Sequence, residues 1–159
     1  MLNAREAEWA HSERHGSVCA FEGYVPFAGL GVNLNVLRPG QPKGLYHGEN
    51  SQEDFLLLSG ECLLVIEGRE RALKQWDFVH CPPWTDHVLI GAGTAPCVLL
   101  ATGARLEGGY EAIEIRFPVA AAALKHGAGV TDETLSPEEI RAALRYRTGR
   151  YRGGDLLPL

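Results

Sequence analysis

The stretch YHGENSQEDFLLLSG, residues 46–60, sets a histidine and carboxylates directly ahead of an apolar run. His47, Glu49 and Glu53 come first, and residues 55–58 follow as Phe-Leu-Leu-Leu, the pattern of a strand that is covered on both faces. Side chains two residues apart in an extended chain lie on one face, so His47 and Glu49 share a face if the segment is extended. Glu53 is a further four residues along, an even number, and would lie on that same face. The polar residues therefore either belong to a solvated loop or converge on a ligand such as a metal ion.

The flanking sequence reads as a series of short strands. Upstream, Val32, Leu34 and Val36 alternate with two asparagines, which predicts a half-buried strand. Further short segments of strand character follow at near-regular spacing, without helical patterns between them, at residues 54–60, 62–68, 69–74, 77–80, 87–90, 97–104 and 110–117. This spacing predicts a mainly β protein, either a sandwich or a barrel.

Both ends of the chain differ from this central part. Residues 1–16 are polar and predict a loosely attached arm or a short helix. Residues 119–127, VAAAALKHG, predict a short helix that ends at a glycine. Residues 136–149, SPEEIRAALRYRTG, predict a second helix ending at a glycine, because Ser136 and Glu139 have the spacing of a capping box.

We expect a single domain over residues 1–159, with a core barrel at about 17–117 and a helical tail at about 118–159. The tail is rich in arginine. A solvated helix face that pairs with an acidic body is one interpretation, and a contact with an anion or a partner is the other. These arginines are Arg141, Arg145, Arg147, Arg150 and Arg152.

Composition narrows the function classes. A net charge of -5 argues against general affinity for nucleic acid or for acidic membrane surfaces. No apolar run reaches the ~20 residues that span a bilayer, and the start lacks an apolar core of signal-peptide length, so we expect a cytoplasmic location. The sequence contains no C-x-x-C pair that would indicate a zinc ribbon or a redox site. We expect buried apolar roles for the cysteines, Cys19, Cys62, Cys81 and Cys97, although Cys81 is also a candidate for the site described below.

A second polar strand entrance follows further along the chain. His87 lies 34 residues after Glu53 and opens the apolar segment HVLI. Imidazole nitrogens and carboxylate oxygens are the ligand types that hold zinc, manganese, iron, nickel or cobalt. Because burying such groups without a partner is costly, a shared cation is one natural explanation; ordinary satisfied residues at strand entrances are the other.

Two motifs resemble those of the cupin superfamily, and in particular small single-domain bacterial cupins of the conserved-barrel type. The first cupin motif, G-x5-H-x-H-x3-4-E-x6-G, is matched by Gly40, His47, Glu49, Glu53 and Gly60. The second motif, G-x5-P-x-G-x2-H-x3-N, is matched over residues 76–91 by Pro82 and His87. About fifteen residues separate the motifs, and the resemblance covers roughly residues 30–105.

The resemblance implies an antiparallel jelly-roll β-barrel with one divalent metal inside, which would be zinc, manganese, iron or nickel. By matching position, the implied ligands are His47, Glu49, Glu53 and His87. The alternative for Glu49 is a group that orients a ligand, or a catalytic acid/base beside the metal. Residues expected to line a substrate site are Tyr46, His80, Cys81 and Trp84.

The chain departs from both motifs. Glu49 replaces the second histidine of the first motif, which leaves metal binding possible with a more oxygen-rich ligand set. Trp76 and Trp84 stand where the second motif has glycine, and Gly91 stands where it has asparagine. Trp84 is an unfavourable residue for a turn of positive φ, so either it closes the mouth of the barrel or the turn has another geometry. Gly40 lies one residue further out than the pattern requires.

The resemblance implies a metal-dependent enzyme acting on a small oxygenated molecule, sugar-like or an organic acid. Isomerisation, with Glu49 shuttling a proton, and oxygenation at iron are both compatible; the absence of a phosphate-binding glycine loop weighs against a phosphorylated substrate. The alternatives are a non-catalytic metallated domain that binds or senses a small ligand, and a structural cupin with a vestigial site. We also expect a homodimer, because the strands are apolar on both faces.

Overall fold

The computed structural model describes residues 1–22, 25–136, 139–140, 142 and 147–149, the last three and Tyr110 without their side chains. Within these residues a 3-10 helix spans Gly109–Ala112 and helix α1 spans Ala121–Lys125. The strands are β1 Trp9–Ser12, β2 Gly16–Ala20, β3 Leu30–Leu37, β4 Gly48–Glu49, β5 Glu53–Ser59, β6 Glu61–Ile66, β7 Arg69–Lys74, β8 Phe78–Cys81, β9 His87–Ala92, β10 Cys97–Ala104, β11 Ile115–Arg116 and β12 Arg147–Gly149.

The strands form three sheets in which all pairings are antiparallel. The largest has the order β12-β1-β2-β3-β10-β5-β8, the second the order β7-β6-β9, and the third pairs β11 with β4. Single bridges join Pro42 to Ile90 and His47 to His87, so that the segment before β4 runs alongside β9. The prediction of a mainly β, antiparallel fold of the jelly-roll type is confirmed.

A hydrophobic core fills the space between the large sheet and the β7-β6-β9 sheet. Its side chains come from both sheets because inward residues recur every second position along each strand. The four cysteines are buried and free, as expected. The residues of this core are Leu37, Phe55, Leu57, Cys62, Leu64, Val79, Cys81, Leu89, Cys97, Leu99 and Ala101.

Strand β3 presents its asparagines to the interior of the barrel. Asn33 pairs with Ala101 and Asn35 with Leu99, and both partners are core residues, so the register turns the amides inward. Val36 lies on the opposite face, where it is also buried. The half-buried strand that the alternation predicts is therefore covered on both faces at this end, and its polar face lines the interior.

The prediction of a loose arm or a helix at the N-terminus is wrong for residues 9–12, which form β1 of the large sheet. Trp9 is 1% exposed and packs in a second core with Cys19 and Val36 on the outer face of that sheet. Its Nε1 donates a hydrogen bond of 2.9 Å to the Ala4 carbonyl. Burial of this one indole anchors the segment, because an indole carries a large apolar surface.

The C-terminal helix predictions are confirmed only in part. Helix α1 ends before Gly127, which has a φ of 65°, as the sequence predicts. The capping box is present: Ser136 N–H donates to the Glu139 carboxylate at 2.7 Å, and Glu139 N–H donates to the Ser136 hydroxyl at 3.3 Å. The helix does not continue to residue 149, because residues 147–149 form β12. The side chains of the arginine cluster (Arg141, Arg145, Arg147, Arg150 and Arg152) lie outside the described part of the chain.

Two tryptophans adopt the backbone conformation of the glycines they replace. Trp76 has a φ of 75° and Trp84 a φ of 65°. The turns therefore keep the geometry of the motif, at a cost of about 1 kcal/mol for each left-handed non-glycine residue. At Gly91 the opposite holds, because a Cβ atom there would lie 2.3 Å from the Arg38 carbonyl oxygen. No side chain fits at Gly91 without movement of the backbone.

Within the described residues, no helix is both long enough and apolar enough to span a membrane.

Candidate metal centre

Three strand entrances bring His47, Glu53 and His87 together. His47 and His87 form a bridge with backbone hydrogen bonds in both directions, at 3.1 and 2.8 Å. Glu53 is the first residue of β5, and its neighbour across the sheet is Cys81. Because β5 and β9 belong to different sheets, the three side chains meet inside the barrel.

The ligand atoms of these residues are close enough to share one ion. Glu53 Oε2 lies 3.4 Å from His47 Nε2 and 3.2 Å from His87 Nε2. One ligand atom of each residue lies within 4.8 Å of the others. Metal-to-ligand distances of about 2.0–2.2 Å for imidazole and carboxylate are compatible with this spacing.

Hydrogen bonds orient both imidazoles. His47 Nδ1 donates to the Leu45 carbonyl at 2.7 Å, and His87 Nδ1 donates to the Thr85 carbonyl at 2.9 Å. Each carbonyl belongs to the residue two positions earlier, so the extended backbone itself fixes the ring. In the neutral state this places the lone pair on Nε2, the atom that faces Glu53.

Two of the converging atoms are buried without a satisfied hydrogen bond among the described residues, namely His87 Nε2 and Glu53 Oε2. Buried polar atoms are normally paired, so two buried atoms that face one another without a hydrogen bond are suited to a shared partner. A divalent cation fits this donor set of two imidazole nitrogens and one carboxylate oxygen.

The charges of the three residues are coupled. Burial disfavours the charged form of His87, but Cys81 and Glu53 outweigh burial and raise the pKa of His87 to about 9. Burial likewise lowers the pKa of His47, but the Glu53 carboxylate outweighs burial, so the pKa of His47 is also raised. Against the effect of burial, the two imidazoles lower the pKa of Glu53. A metal ion that binds here therefore replaces protons on the histidines.

Glu49 lies beside this group rather than in it. Its carboxylate is not part of the cluster of His47, Glu53 and His87, and it accepts a hydrogen bond from the Ser51 hydroxyl. Glu49 and Glu53 line the same cavity of about 290 Å³. Burial, and then the Glu53 charge, raise the pKa of Glu49. The structure thus brings together three of the four predicted ligands and places Glu49 beside them.

The four residues expected to line a substrate site take different positions. Cys81 faces inward beside Glu53, whereas His80 points outward, where its Nδ1 lies 2.6 Å from Asp54. The Tyr46 hydroxyl accepts a hydrogen bond from Gly68 N–H and is packed in a separate core.

Trp84 lies at the turn between β8 and β9 and is 39% exposed. The Arg116 guanidinium lies 5.5 Å from the centre of its ring and donates a hydrogen bond to its carbonyl. Trp84 does not contribute to the two cavities beside the metal centre, and neither do Tyr46 and His80.

Sequence reasoning missed three residues that line these cavities. Lys43 and Asn33 line both the cavity of about 290 Å³ and a second one of about 270 Å³, and Asn35 lines the second. Lys43 lies four residues before His47, and a cation this close in sequence to a predicted ligand is the signal that could have revealed it. No comparable signal shows that the polar face of β3 is the inner one.

Residues 33–103 match the family model of the cupin domain. These residues form a cupin domain. The resemblance seen in the two motifs is thereby confirmed, and the match contains all three converging residues.

Solved structures with the same fold support this assignment. A candidate sugar phosphate isomerase from Acidithiobacillus ferrooxidans is 26% identical, with a TM-score of 0.51 over 57% of this chain and 61% of that chain. A sugar phosphate isomerase from Silicibacter pomeroyi, described as a cupin, has the same identity, TM-score and coverage of this chain, and 59% of it is covered. A Cupin 2 conserved barrel domain protein from Salinispora arenicola is 21% identical, with a TM-score of 0.51 over 57% of this chain and 76% of that chain.

The chain therefore spans about three fifths of the two isomerase chains. No curated protein matches it.

Proposed function

We propose that the cupin domain binds one divalent metal through His47, Glu53 and His87 and catalyses the isomerisation of a small oxygenated molecule. The observation that carries this proposal is that a cluster of metal-binding side chains and a separate carboxylate lie in the same barrel interior. Three ligand atoms converge on a common point, and the separate carboxylate of Glu49 borders the same cavity as Glu53.

A divalent metal held at this site would supply a Lewis acid that polarises a carbonyl or hydroxyl oxygen. The residues of the chain supply the proton transfer. Glu49 would take a proton from the hydroxyl-bearing carbon next to a carbonyl group and return it to the carbonyl carbon, while the hydroxyl proton passes to the former carbonyl oxygen, so that the carbonyl and hydroxyl groups exchange places. Its raised pKa suits it to both halves of this transfer, since a general acid/base works best when its pKa lies closer to the ambient pH.

Ser51 would position this base. Its hydroxyl donates to Glu49 Oε1, which holds one oxygen of the carboxylate and leaves the other for the substrate. The two sugar phosphate isomerases support the reaction class, because their identity of 26% exceeds that of neighbours that share the fold alone. Their substrates are properties of those proteins.

Oxygenation is the second candidate. Two histidines and one carboxylate with open coordination positions are the donor set of non-haem Fe(II) oxygenases, and the described cluster has this composition. Isomerisation is preferred because the donor set alone does not account for Glu49 and its Ser51 partner. A non-catalytic domain that binds a small ligand would use the same cavities without a base.

Proton exchange distinguishes these functions. Zinc- or manganese-loaded protein is incubated with a panel of aldoses, ketoses and hydroxylated oxo acids in D2O, and deuterium at the carbon next to the carbonyl is followed by NMR. The proposal predicts incorporation by the native protein and its loss in Glu49→Gln at unchanged metal content. Oxygen consumption by the iron-loaded protein, without any deuterium exchange, would favour oxygenation instead.

We further propose that two copies of the domain pair through the outer face of the large sheet. Phe78, on the edge strand β8 of that sheet, is 64% exposed and pairs with Leu56, and Trp76, in the turn before β8, is 67% exposed. Large exposed apolar side chains on one face are typical of an interaction surface. Elution as a monomer on a sizing column at micromolar concentration would contradict this proposal.

A further inference from the structure

The interior beside the metal centre contains a lysine that the proposed chemistry does not use. Lys43, Leu45 and His47 line the same cavity, on the segment that leads into β4. Lys43 Nζ lies 5.2 Å from the centre of the Phe55 ring, a core side chain. The ammonium group is thus directed into the barrel rather than toward bulk water.

The group that this ammonium contacts is the Phe55 ring. Within the described part of the chain, the ammonium forms no hydrogen bond and no ion pair, although Glu49 and Glu53 border the neighbouring cavity. An inward ammonium that is unpaired is suited to an anionic ligand.

An amide group with unused donors lies on the same cavity. Asn35 is 4% exposed, and its Nδ2 atom has no hydrogen-bond partner among the residues that the structure describes. Asn33 lies two residues earlier on the same face of β3 and lines both cavities. A buried amide donor without an acceptor is unfavourable, so an acceptor is expected in the ligand.

Among the described residues, one other cationic side chain borders these cavities, and it already has an ion-pair partner. Arg105 Nη2 donates to both carboxylate oxygens of Glu22, each at 2.9 Å. One free positive charge with amide donors suits a carboxylate better than a phosphate dianion. Phosphate sites generally add a helix N-terminus, a glycine loop or an arginine fork.

We infer that Lys43, Asn33 and Asn35 form the recognition site for a carboxylate, and that the substrate is a small hydroxylated carboxylic acid. This inference rests on the proposed function, because binding of the substrate's carboxylate would position its oxygenated carbons near His47 and Glu49. The chain thereby selects an organic acid over an uncharged sugar.

Calorimetric binding of matched probes tests the inference. Gluconate and sorbitol have the same polyol chain and differ in the carboxylate, and glucose 6-phosphate provides the phosphate arm. Each probe is titrated into zinc-loaded and metal-free protein. The variants are Lys43→Met, which removes the charge and keeps an unbranched side chain one atom shorter, and Asn35→Asp, which adds a repelling charge. Lys74→Met is the matched control, because it removes an exposed lysine from the end of β7.

We expect gluconate to bind at least about tenfold more tightly than sorbitol, as one charge-assisted contact implies. Lys43→Met and Asn35→Asp should abolish this preference, whereas Lys74→Met should keep it, with the zinc content equal in all variants. Equal binding of gluconate and sorbitol, no binding of gluconate, or a preference that survives in Lys43→Met would overturn the inference. A Lys43-dependent preference for glucose 6-phosphate over gluconate would also overturn the assignment to a carboxylate.

The two proposals fail separately. A protein that binds no zinc but shows the Lys43-dependent preference would contradict the proposed function and support the carboxylate site. Zinc bound through His47, Glu53 and His87 without such a preference would contradict the carboxylate site and support the metal centre of the proposed function.

Discussion

His47 and His87 exchange backbone hydrogen bonds in both directions, at 3.1 and 2.8 Å, and their rings lie 5.1 Å apart. The spacing of the two imidazoles is therefore set by strand pairing and does not require a bound ion. A site that is held in this way is organised before the metal arrives.

Removal of the metal is accordingly expected to leave the fold intact. Treatment with a chelator should not change the far-UV circular dichroism spectrum, while the melting temperature should fall by an amount that depends on metal concentration, as mass action requires. Thermal scans over a zinc titration measure this dependence. Loss of β structure on chelation would show instead that the metal assembles the site.

The pH dependence of the metal-free protein follows from the histidines. The pKa of His87 is raised to about 9 and that of His47 is also raised, so their pairing with Glu53 stabilises the fold fully below the unfolded pKa of about 6.5. This contribution is lost as the pH rises toward 9.

The melting temperature of the metal-free protein should therefore fall between pH 6.5 and 9. His87→Gln serves as the control, in which the decline should be smaller. A melting temperature that stays level or rises over this range in the native sequence would contradict the proposed coupling of the three charges.

The left-handed backbone at Trp76 predicts an unusual order of stability. Trp76→Gly and Trp76→Ala remove the same exposed indole, but glycine alone adopts the φ of 75° without strain. The glycine variant should be more stable by about 1 kcal/mol in urea unfolding. At Phe78, an exposed strand residue outside the left-handed region, the order should reverse. The same order at both positions would show that Trp76 is not strained.

Restoring the asparagine of the second motif at Gly91 should destabilise the protein. A Cβ atom there would meet the Arg38 carbonyl oxygen at 2.3 Å, and Gly91 is hydrogen-bonded on both sides to the segment that contains Gly40 and Gln41. We expect Gly91→Asn to cost about 1–3 kcal/mol. Gly29→Asn is the matched control, because nothing lies within 4 Å of a Cβ atom at that position. Equal stability of the two variants would contradict this account.

The barrel and the converging residues could be predicted from the sequence because they depend on short-range spacing. The two motifs set His47, Glu53 and His87 at strand entrances, and strand pairing brings entrances at one end of a barrel together. The position of Glu49 could not be predicted in this way. Its carboxylate is held by Ser51, and the spacing of ligands contains no information about that contact.

The carboxylate site was missed because alternation along a strand does not show which face is inside. On β3 the apolar face is buried by Trp9 and its neighbours, and the amides of Asn33 and Asn35 face the interior. Trp9 itself belongs to a strand of four residues, too short to show a period. Both errors have one cause, which is that the packing of the N-terminal strand is a long-range property.

The metal content of three proteins tests the central claim most directly. Native protein, Glu53→Gln and Glu49→Gln are purified without a metal-chelating tag and analysed for bound elements. The account predicts near-stoichiometric metal in the native protein and in Glu49→Gln, and a loss of affinity of at least about a hundredfold in Glu53→Gln, since a ligand is removed rather than a neighbour of one. Metal retained in Glu53→Gln, or no metal in the native protein after anaerobic reconstitution, would contradict it.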